Sequence, residues 1–280
     1  MKCFDCPRRC GVDRSQNAGF CGESDKIRVA KIIENFMWEE PCISGSKGAL
    51  AIFFAGCNLR CSFCQNYKIS HNGFGKEYTV QEFRDLMLSY DLSTFSSIDL
   101  VTPTHFSSLL LDVFDGLKLP LPIVWNSSGY ENEDMIERLS GFVDVFLPDF
   151  KYYSSDLSKG LSCAEDYFQV ASKAICIMKK AKPQNIFHNG VMQSGLLIRH
   201  LVLPGQQLDS FKVLDFIKEN IDDPFISLMS QFTPNGNGNL QRKILPLEYK
   251  AVVAHAQKLG LTDGYIQEGA SASDQFVPKF

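Results

Sequence analysis

The chain has 280 residues, of which 45% are apolar, and a formal net charge of −4. That length buries one sizeable core, and the slightly acidic balance excludes the basic footprint of a nucleic-acid binder. No apolar run approaches a membrane span, and the start Met1–Cys6 lacks the apolar centre of a secretory signal, so no membrane partner and a cytoplasmic location are expected.

Ten cysteines are many for such a chain. Without a secretory signal, metal or cluster binding explains them better than a disulfide framework. Residues 1–45 form a cysteine-rich extension with little apolar periodicity. Cys3, Cys6, Cys10 and Cys21 run C-x2-C-x3-C-x10-C there, a set that can supply four thiolates to zinc or to a second cluster. A segment this small builds no core of its own, so a metal, or docking on the rest of the chain, must order it. Pro7 stiffens it, and Gly11 and Gly19 permit tight turns.

Residues 46–280 make up the main domain, where strand and helix signals alternate. Gly48 to Gly56 reads as a strand buried on both faces, with Phe53-Phe54 as core. Thr79 to Glu82 is a capping-box pattern that opens a helix to Tyr90. Ser97 to Thr102 is a strand, Phe106 to Phe114 a helix, and Leu121 to Trp125 a strand. Asn132 caps a helix over Glu133 to Leu139, and Phe142 to Leu147 is a strand stopped by Pro148. Ser162 to Glu165 is a second capping-box pattern, predicting a helix to Lys180 that carries Cys163 and Cys176 as small core residues. Gly195 to Leu203 is a strand ended by Pro204-Gly205, Ser210 to Asn220 a helix, and Phe225 to Met229 a strand. Asn235 to Asn239 reads as a solvated loop, Pro246 to Gly260 brackets a helix that carries His255, and Asp263 to Gln267 is a last short strand.

This order predicts an α/β fold, a parallel sheet with crossover helices. Six units can curl into a partial or full barrel, and a doubly wound open sheet is the alternative. In either case ligands bind at the carboxyl ends of the strands. Those ends lead into the Cys57–Cys64 loop, Pro103-Thr104-His105, Asn126 to Tyr130, Pro148 to Lys151, Leu203 to Gly205, and Ser230 to Phe232.

Cys57, Cys61 and Cys64 follow the first of these strands at C-x3-C-x2-C. Three thiolates on one loop can hold three irons of a four-iron cluster and leave the fourth open to a small molecule. The spacing, with an aromatic residue, Phe63, before the third cysteine, resembles the signature of the radical S-adenosylmethionine superfamily. That resemblance, over roughly residues 48 to 270, implies a partial (β/α)6 TIM-like barrel and a [4Fe–4S] cluster. It also implies S-adenosylmethionine on the open iron, cleaved reductively to a 5′-deoxyadenosyl radical that abstracts hydrogen, and a reductant such as flavodoxin or ferredoxin.

Four segments resemble pyruvate formate-lyase activating enzyme homologues more narrowly: Cys6 to Gly11, Thr102 to His105, Leu147 to Tyr152, and Arg199 to Gly205. This narrower likeness implies a glycyl-radical enzyme as partner. It places Asp149 and Lys151 at S-adenosylmethionine, Lys151 as a point charge for its carboxylate. Asn126 and Ser127 stand where that family has an Asp-Thr turn that holds a monovalent cation, so the cation site loses one carboxylate. The family's Gly-Gly-Glu segment is absent; Thr102, Thr104 and His105 occupy its place, and threonine oxygens can accept from the methionyl ammonium. Arg199 faces the ligand or pairs with a neighbouring carboxylate, and His200 is a weaker ligand candidate. The departures leave open another peptide or a small-molecule substrate. Two other classes also remain: a non-catalytic iron–sulfur electron carrier or redox sensor, and a zinc-stabilised binding protein with Cys42 as fourth ligand.

Overall fold

The computed structural model describes residues 2–236 and 240–267. Among them, no helix is long and apolar enough to cross a membrane.

The elements follow one another as β1 (Ile27–Phe36), α1 (Pro41–Ser44), β2 (Ala49–Phe54), α2 (Tyr67–His71), β3 (Lys76–Tyr78), α3 (Val80–Ser89), β4 (Ser97–Val101), α4 (Ser107–Phe114), β5 (Ile123–Ser127) and α5 (Glu133–Leu139). They continue with β6 (Val145–Pro148), α6 (Ser155–Ser162), α7 (Tyr167–Ala181), β7 (Ile186–His188), β8 (Val191–Leu201), α8 (Gln207–Asn220), β9 (Phe225–Met229), α9 (Pro246–Lys258) and β10 (Gly264–Ile266). One sheet runs in the order β10-β9-β8-β6-β5-β4-β2-β1-β3, with β7 as a hairpin on β8. From β2 to β10 every neighbouring pair is parallel, whereas β1 and β3 are antiparallel additions at one edge. The sheet is an open, partial α/β barrel: β10 and β3 are its ends and do not pair.

Alternation along the strands separates two environments. Leu50, Ile52 and Phe54 of β2, Ile98 and Leu100 of β4, and Trp125 of β5 face the helices and form the main core. Ala51, Phe53 and Val101 face the other way, into the barrel, against Phe36. Both faces are covered, which is why these strands read as unbroken apolar runs. The helix α1 closes the N-terminal end of the barrel. Its Cys42 and Ile43 pack on Val124, Val145, Leu147 and Leu197, and Ser97 Oγ donates to the Ile43 carbonyl at 2.8 Å.

The expected extension over 1–45 therefore splits. Residues 2–25 form loops, while β1 and α1 belong to the sheet and the barrel interior. Thr79 and Glu82 make the expected reciprocal cap on α3. The pattern Ser162 to Glu165 does not open a helix. Ser154 caps α6 instead, accepting from Leu157 N, and α6 ends at Cys163 in the left-handed region at φ 52°. Cys163 is exposed rather than part of the core. Asn132 precedes α5 as expected, but its amide donates to the Phe4 carbonyl at 2.8 Å and makes no side-chain cap. Asn235 and Gly236 of the expected loop are described, and Asn235 donates to the Ser62 and Cys64 carbonyls; Asn237, Gly238 and Asn239 lie outside the described residues.

Candidate cofactor site

β2 ends at Phe54, and the chain turns at Gly56 with φ +76°. A Cβ there would lie 2.6 Å from Glu23 Cγ and 2.7 Å from the Cys21 carbonyl oxygen, so only glycine fits. The next residue, Cys57, donates its N–H to that same Cys21 carbonyl at 3.4 Å. All three loop sulfurs accept a hydrogen bond: Cys57 from Leu59 N at 3.3 Å, Cys61 from Ser162 Oγ at 2.9 Å, and Cys64 from Ser70 Oγ at 3.5 Å. Burial pushes the Cys61 thiol up to about 12, partly offset by the Lys151 charge. A thiol held so high becomes a ligand only when a metal replaces its proton.

The three cysteines share one cavity, of about 300 Å³, with Thr102, Asn126, Ser127, Asp149, Lys151 and Arg199. These come from the carboxyl ends of β4, β5, β6 and β8, as parallel architecture requires. Lys151 Nζ meets Asp149 Oδ2 at 2.5 Å, and Arg199 Nε donates to Asp149 Oδ1 at 2.8 Å. Arg199 also donates to Glu39 Oε2 at 2.9 Å and to Asn126 Oδ1 at 2.5 Å. Arg199 lines the cavity and is also paired with carboxylates. Burial opposes the Asp149 charge, but Arg199 and then Lys151 outweigh it and hold that carboxyl below its usual value. Burial likewise opposes the Lys151 charge, and Asp149 outweighs it, so the ammonium stays charged.

Thr104 and His105 do not reach the cavity, which corrects their expected place at the cofactor. At Thr102 the chain adopts φ +61° and turns both side chains back into the protein. Thr104 Oγ1 donates to Glu131 Oε1 at 2.7 Å. His105 Nε2 lies 2.7 Å from the Ala55 carbonyl, bracing the end of β2, and burial pushes its imidazole down to about 3. His200 is equally internal, with Nδ1 2.7 Å from the Phe150 carbonyl and Nε2 2.9 Å from Ser210 Oγ.

Sequence reasoning missed the floor of the cavity. Trp38, Glu39 and Glu40, between β1 and α1, and Pro41, which starts α1, line it from below. Glu39 is held well above its usual value, chiefly by burial and then by Asp99, and burial pushes the Asp99 carboxyl up to about 7. Glu40 Oε2 and Asp99 Oδ1 are buried without a hydrogen-bond partner. The one available signal was two adjacent acids between Trp38 and a helix-starting Pro41. Ser162 was missed as a sulfur donor because it was read as a cap.

The donor set fits an iron–sulfur cluster better than zinc. Among the described residues, no three His, Cys, Asp or Glu side chains close around a single ion. Cys42, the fourth ligand a zinc site would need, lies in α1 at the opposite end of the barrel and bonds Tyr265. Three thiols facing a cavity with no fourth protein ligand leave one iron of a four-iron cluster open.

Glu131 offers a separate test of the buried network behind the site. Its Oε1 accepts from Thr104 and Trp125, and burial pushes its carboxyl from 4.5 up to about 7, outweighing hydrogen bonds from Thr104, Trp125 and Ser127. The folded chain then holds a proton that the unfolded chain releases, so stability falls as pH rises from 4.5 to 7. Glu131→Gln removes that loss. Relative to the parent protein, the variant gains about 3 kcal/mol across this window in urea unfolding. A difference that stays constant with pH would mean that Glu131 is not the titrating group.

A family model described as a 4Fe-4S single cluster domain matches residues 43–165, which include the three loop cysteines, Asn126, Asp149 and Lys151. An uncharacterized protein of Methanocaldococcus jannaschii is 28% identical over 274 residues, 92% of this chain and 75% of its own length. Among solved structures, native anSMEcpe with bound AdoMet aligns over 76% of this chain at a TM-score of 0.47 and 14% identity. This chain spans 61% of that one, a likeness too distant to extend that protein's properties here.

Proposed function

We propose that the chain is a radical S-adenosylmethionine enzyme, with a [4Fe–4S] cluster on Cys57, Cys61 and Cys64 and S-adenosylmethionine against the Asp149–Lys151 wall. One observation carries this reading: three thiols of one loop face Asp149, Lys151 and Arg199 across a single cavity at the carboxyl end of a parallel sheet. When bound, the pair supplies one-electron cleavage of the sulfonium to a 5′-deoxyadenosyl radical, which takes a hydrogen atom from the substrate. The chain's own residues do the positioning. Lys151, kept charged by Asp149, offers a point charge to the methionyl carboxylate. Asn126, Ser127 and Thr102 offer polar groups beside it. Phe63 and Phe232, 5.8 Å apart between centroids, form an apolar wall that excludes water. Leu59 N–H, Ser162 and Ser70 donate to the sulfurs, a lever on cluster potential.

For the substrate we propose a glycine of a glycyl-radical enzyme, losing a backbone hydrogen, with flavodoxin or ferredoxin as reductant. The supporting segments are Leu147 to Tyr152 and Arg199 to Gly205, whose Asp149, Lys151 and Arg199 line the cavity. A small substrate bearing a basic nitrogen is the second reading. It is favoured by the floor, where Glu40 Oε2 lacks a hydrogen-bond partner.

The test is anaerobic reconstitution with iron and sulfide, then dithionite and S-adenosylmethionine. 5′-Deoxyadenosine is expected. A stable reduced cluster that never cleaves the cofactor rejects the reading in favour of an electron carrier. Deuterium moving into 5′-deoxyadenosine from an α-deuterated glycyl partner, rather than from a deuterated amine, separates the two substrates.

A further inference from the structure

Residues 2–25 contain no helix and no strand longer than an isolated bridge, yet they are held in a defined arrangement. Cys3 N donates to the Val12 carbonyl at 2.9 Å, and Gly11 N returns to the Cys3 carbonyl at 3.0 Å. This clasp sets Cys3 beside the Cys10–Gly11 turn. Arg9 N bonds the Cys6 carbonyl at 3.0 Å, folding Cys6 back toward Cys10. A Cβ on Gly19 would lie 3.3 Å from Cys10 Sγ and 3.4 Å from Cys21 Sγ, so these two thiols face one another across the notch that the glycine leaves. None of the four cysteines is in a disulfide. Four thiols thus lie in one segment too small for an apolar core, two of them across a single glycine, and something must hold it.

A second observation points to an anion there. Arg14 is only 7% exposed, and its Nη1 lies 3.9 Å from Cys3 Sγ while donating to the His105 carbonyl. Its Nε and Nη2 are buried with no hydrogen-bond partner. Asp5, 3.6 Å away, is the carboxylate paired with it. A buried guanidinium with two unused donors beside a thiol is costly unless more negative charge is present. Thiolates around a metal centre provide that charge.

The layout favours a cluster over zinc. Structural zinc sites pair their ligands two and two, whereas three close cysteines with a fourth remote is the ferredoxin pattern. As at the loop, no three of these thiols close around a single ion among the described residues. Inorganic sulfide spreads the ligands of a cluster more widely than a lone ion does.

We propose that Cys3, Cys6, Cys10 and Cys21 hold a second [4Fe–4S] cluster, saturated by four thiolates, that passes electrons to the loop. The Cys21 carbonyl accepts from Cys57 N, so a ligand of one centre is a single hydrogen bond from a ligand of the other. Arg8 also joins the two, donating to the Asn58 carbonyl at 2.7 Å and to the Ser162 carbonyl at 3.2 Å. In each relay step an external one-electron donor of the flavodoxin or ferredoxin class is oxidised by one electron. The second cluster is reduced by one and then reoxidised as the loop cluster accepts it. The relay rests on the proposed radical function, whereas the site itself does not.

The experiment uses the full chain carrying Cys57→Ala, Cys61→Ala and Cys64→Ala together. After anaerobic reconstitution it is expected to keep about four irons and four sulfides, against about eight of each in the parent chain. Its reduced EPR signal is expected not to move on adding S-adenosylmethionine, because no iron is open. Adding Cys6→Ala and Cys21→Ala to this variant removes the iron. Four irons in the parent and none in the triple variant, or one zinc without sulfide, overturns the second cluster. In the otherwise parental chain, Cys6→Ser abolishes flavodoxin-driven 5′-deoxyadenosine formation while the loop cluster keeps its response to S-adenosylmethionine. Unchanged flavodoxin-driven turnover overturns the relay. Failure of the radical reading alone would leave the parent with eight irons and no 5′-deoxyadenosine.

Discussion

If the chain has the proposed radical function, Cys61→Ala is expected to abolish 5′-deoxyadenosine formation, a rate loss of about 10⁶-fold or more, while the protein stays folded. Cys61 is one of three cysteines on the loop, so its removal would leave two irons of the proposed cluster without protein ligands. The structural cost is small. Ser162 Oγ, which donates to the Cys61 sulfur, also lies 2.7 Å from the Tyr152 hydroxyl and keeps that partner. Losing one sulfur atom from a buried site costs about 1–2 kcal/mol in packing. Cys163→Ala is the control, because that thiol is exposed. The measurements are 5′-deoxyadenosine by chromatography, iron content, and a urea unfolding midpoint. Residual turnover in Cys61→Ala near that of the parent would sink the assignment of the loop.

Arg199→Ala is expected to destabilise the chain by about 3–5 kcal/mol, the range for breaking a buried ion pair from one side. Arg199 pairs with Asp149 and Glu39 and lies 3.9 Å from Glu40. Without it these carboxylates face a barrel interior in which Lys151 is the other cation lining the cavity. The sign with pH follows from the groups. Glu39 has a raised value and sheds its charge as pH falls, so the penalty of leaving it unpaired shrinks on acidification. Asp149 has a lowered value; the stability from its pairing exists above its ordinary value of 3.8 and disappears only as pH drops through its folded value. The loss in Arg199→Ala is therefore larger at pH 8 than at pH 5. Arg199→Lys recovers only part of it, since one ammonium cannot serve Asp149, Glu39 and Asn126 in a planar fork. Urea unfolding at both pH values checks this, and a loss under 1 kcal/mol at pH 8 would contradict it.

The parallel strands were legible because burial on both faces leaves no polar alternation to confuse, as in Ala49–Phe54. The strand β1 was not. Arg28, Lys31, Glu34 and Asn35 interrupt its apolar residues, as suits a strand near a sheet edge. The closing helix α1 has four residues, too few to show a period. At the site, Asp149 and Lys151 follow a strand end, Asn126 and Ser127 close one, and all four line the cavity. Thr104 and His105 also follow a strand end, but a left-handed residue at Thr102 reverses where they point. Backbone sign at one position is invisible to residue counting. Glu39 and Glu40 precede the first crossover unit, and two adjacent acids ordinarily belong in water. Only the three-dimensional return of β1 and α1 beneath the barrel carries them inside.

The Arg8 clamp has a consequence for how the chain is made. Arg8 precedes its partner by 155 residues: its guanidinium closes on the Cys163 carbonyl. Long-range closures of this kind form late, after the local contacts they must wait for. The clasp between Cys3 and Val12 is local and can set while most of the chain is still unmade. The two contacts thus close at different times: the local turn can form early, whereas the clamp locks the cysteine segment against the loop only after the fourth parallel strand and α6 have emerged.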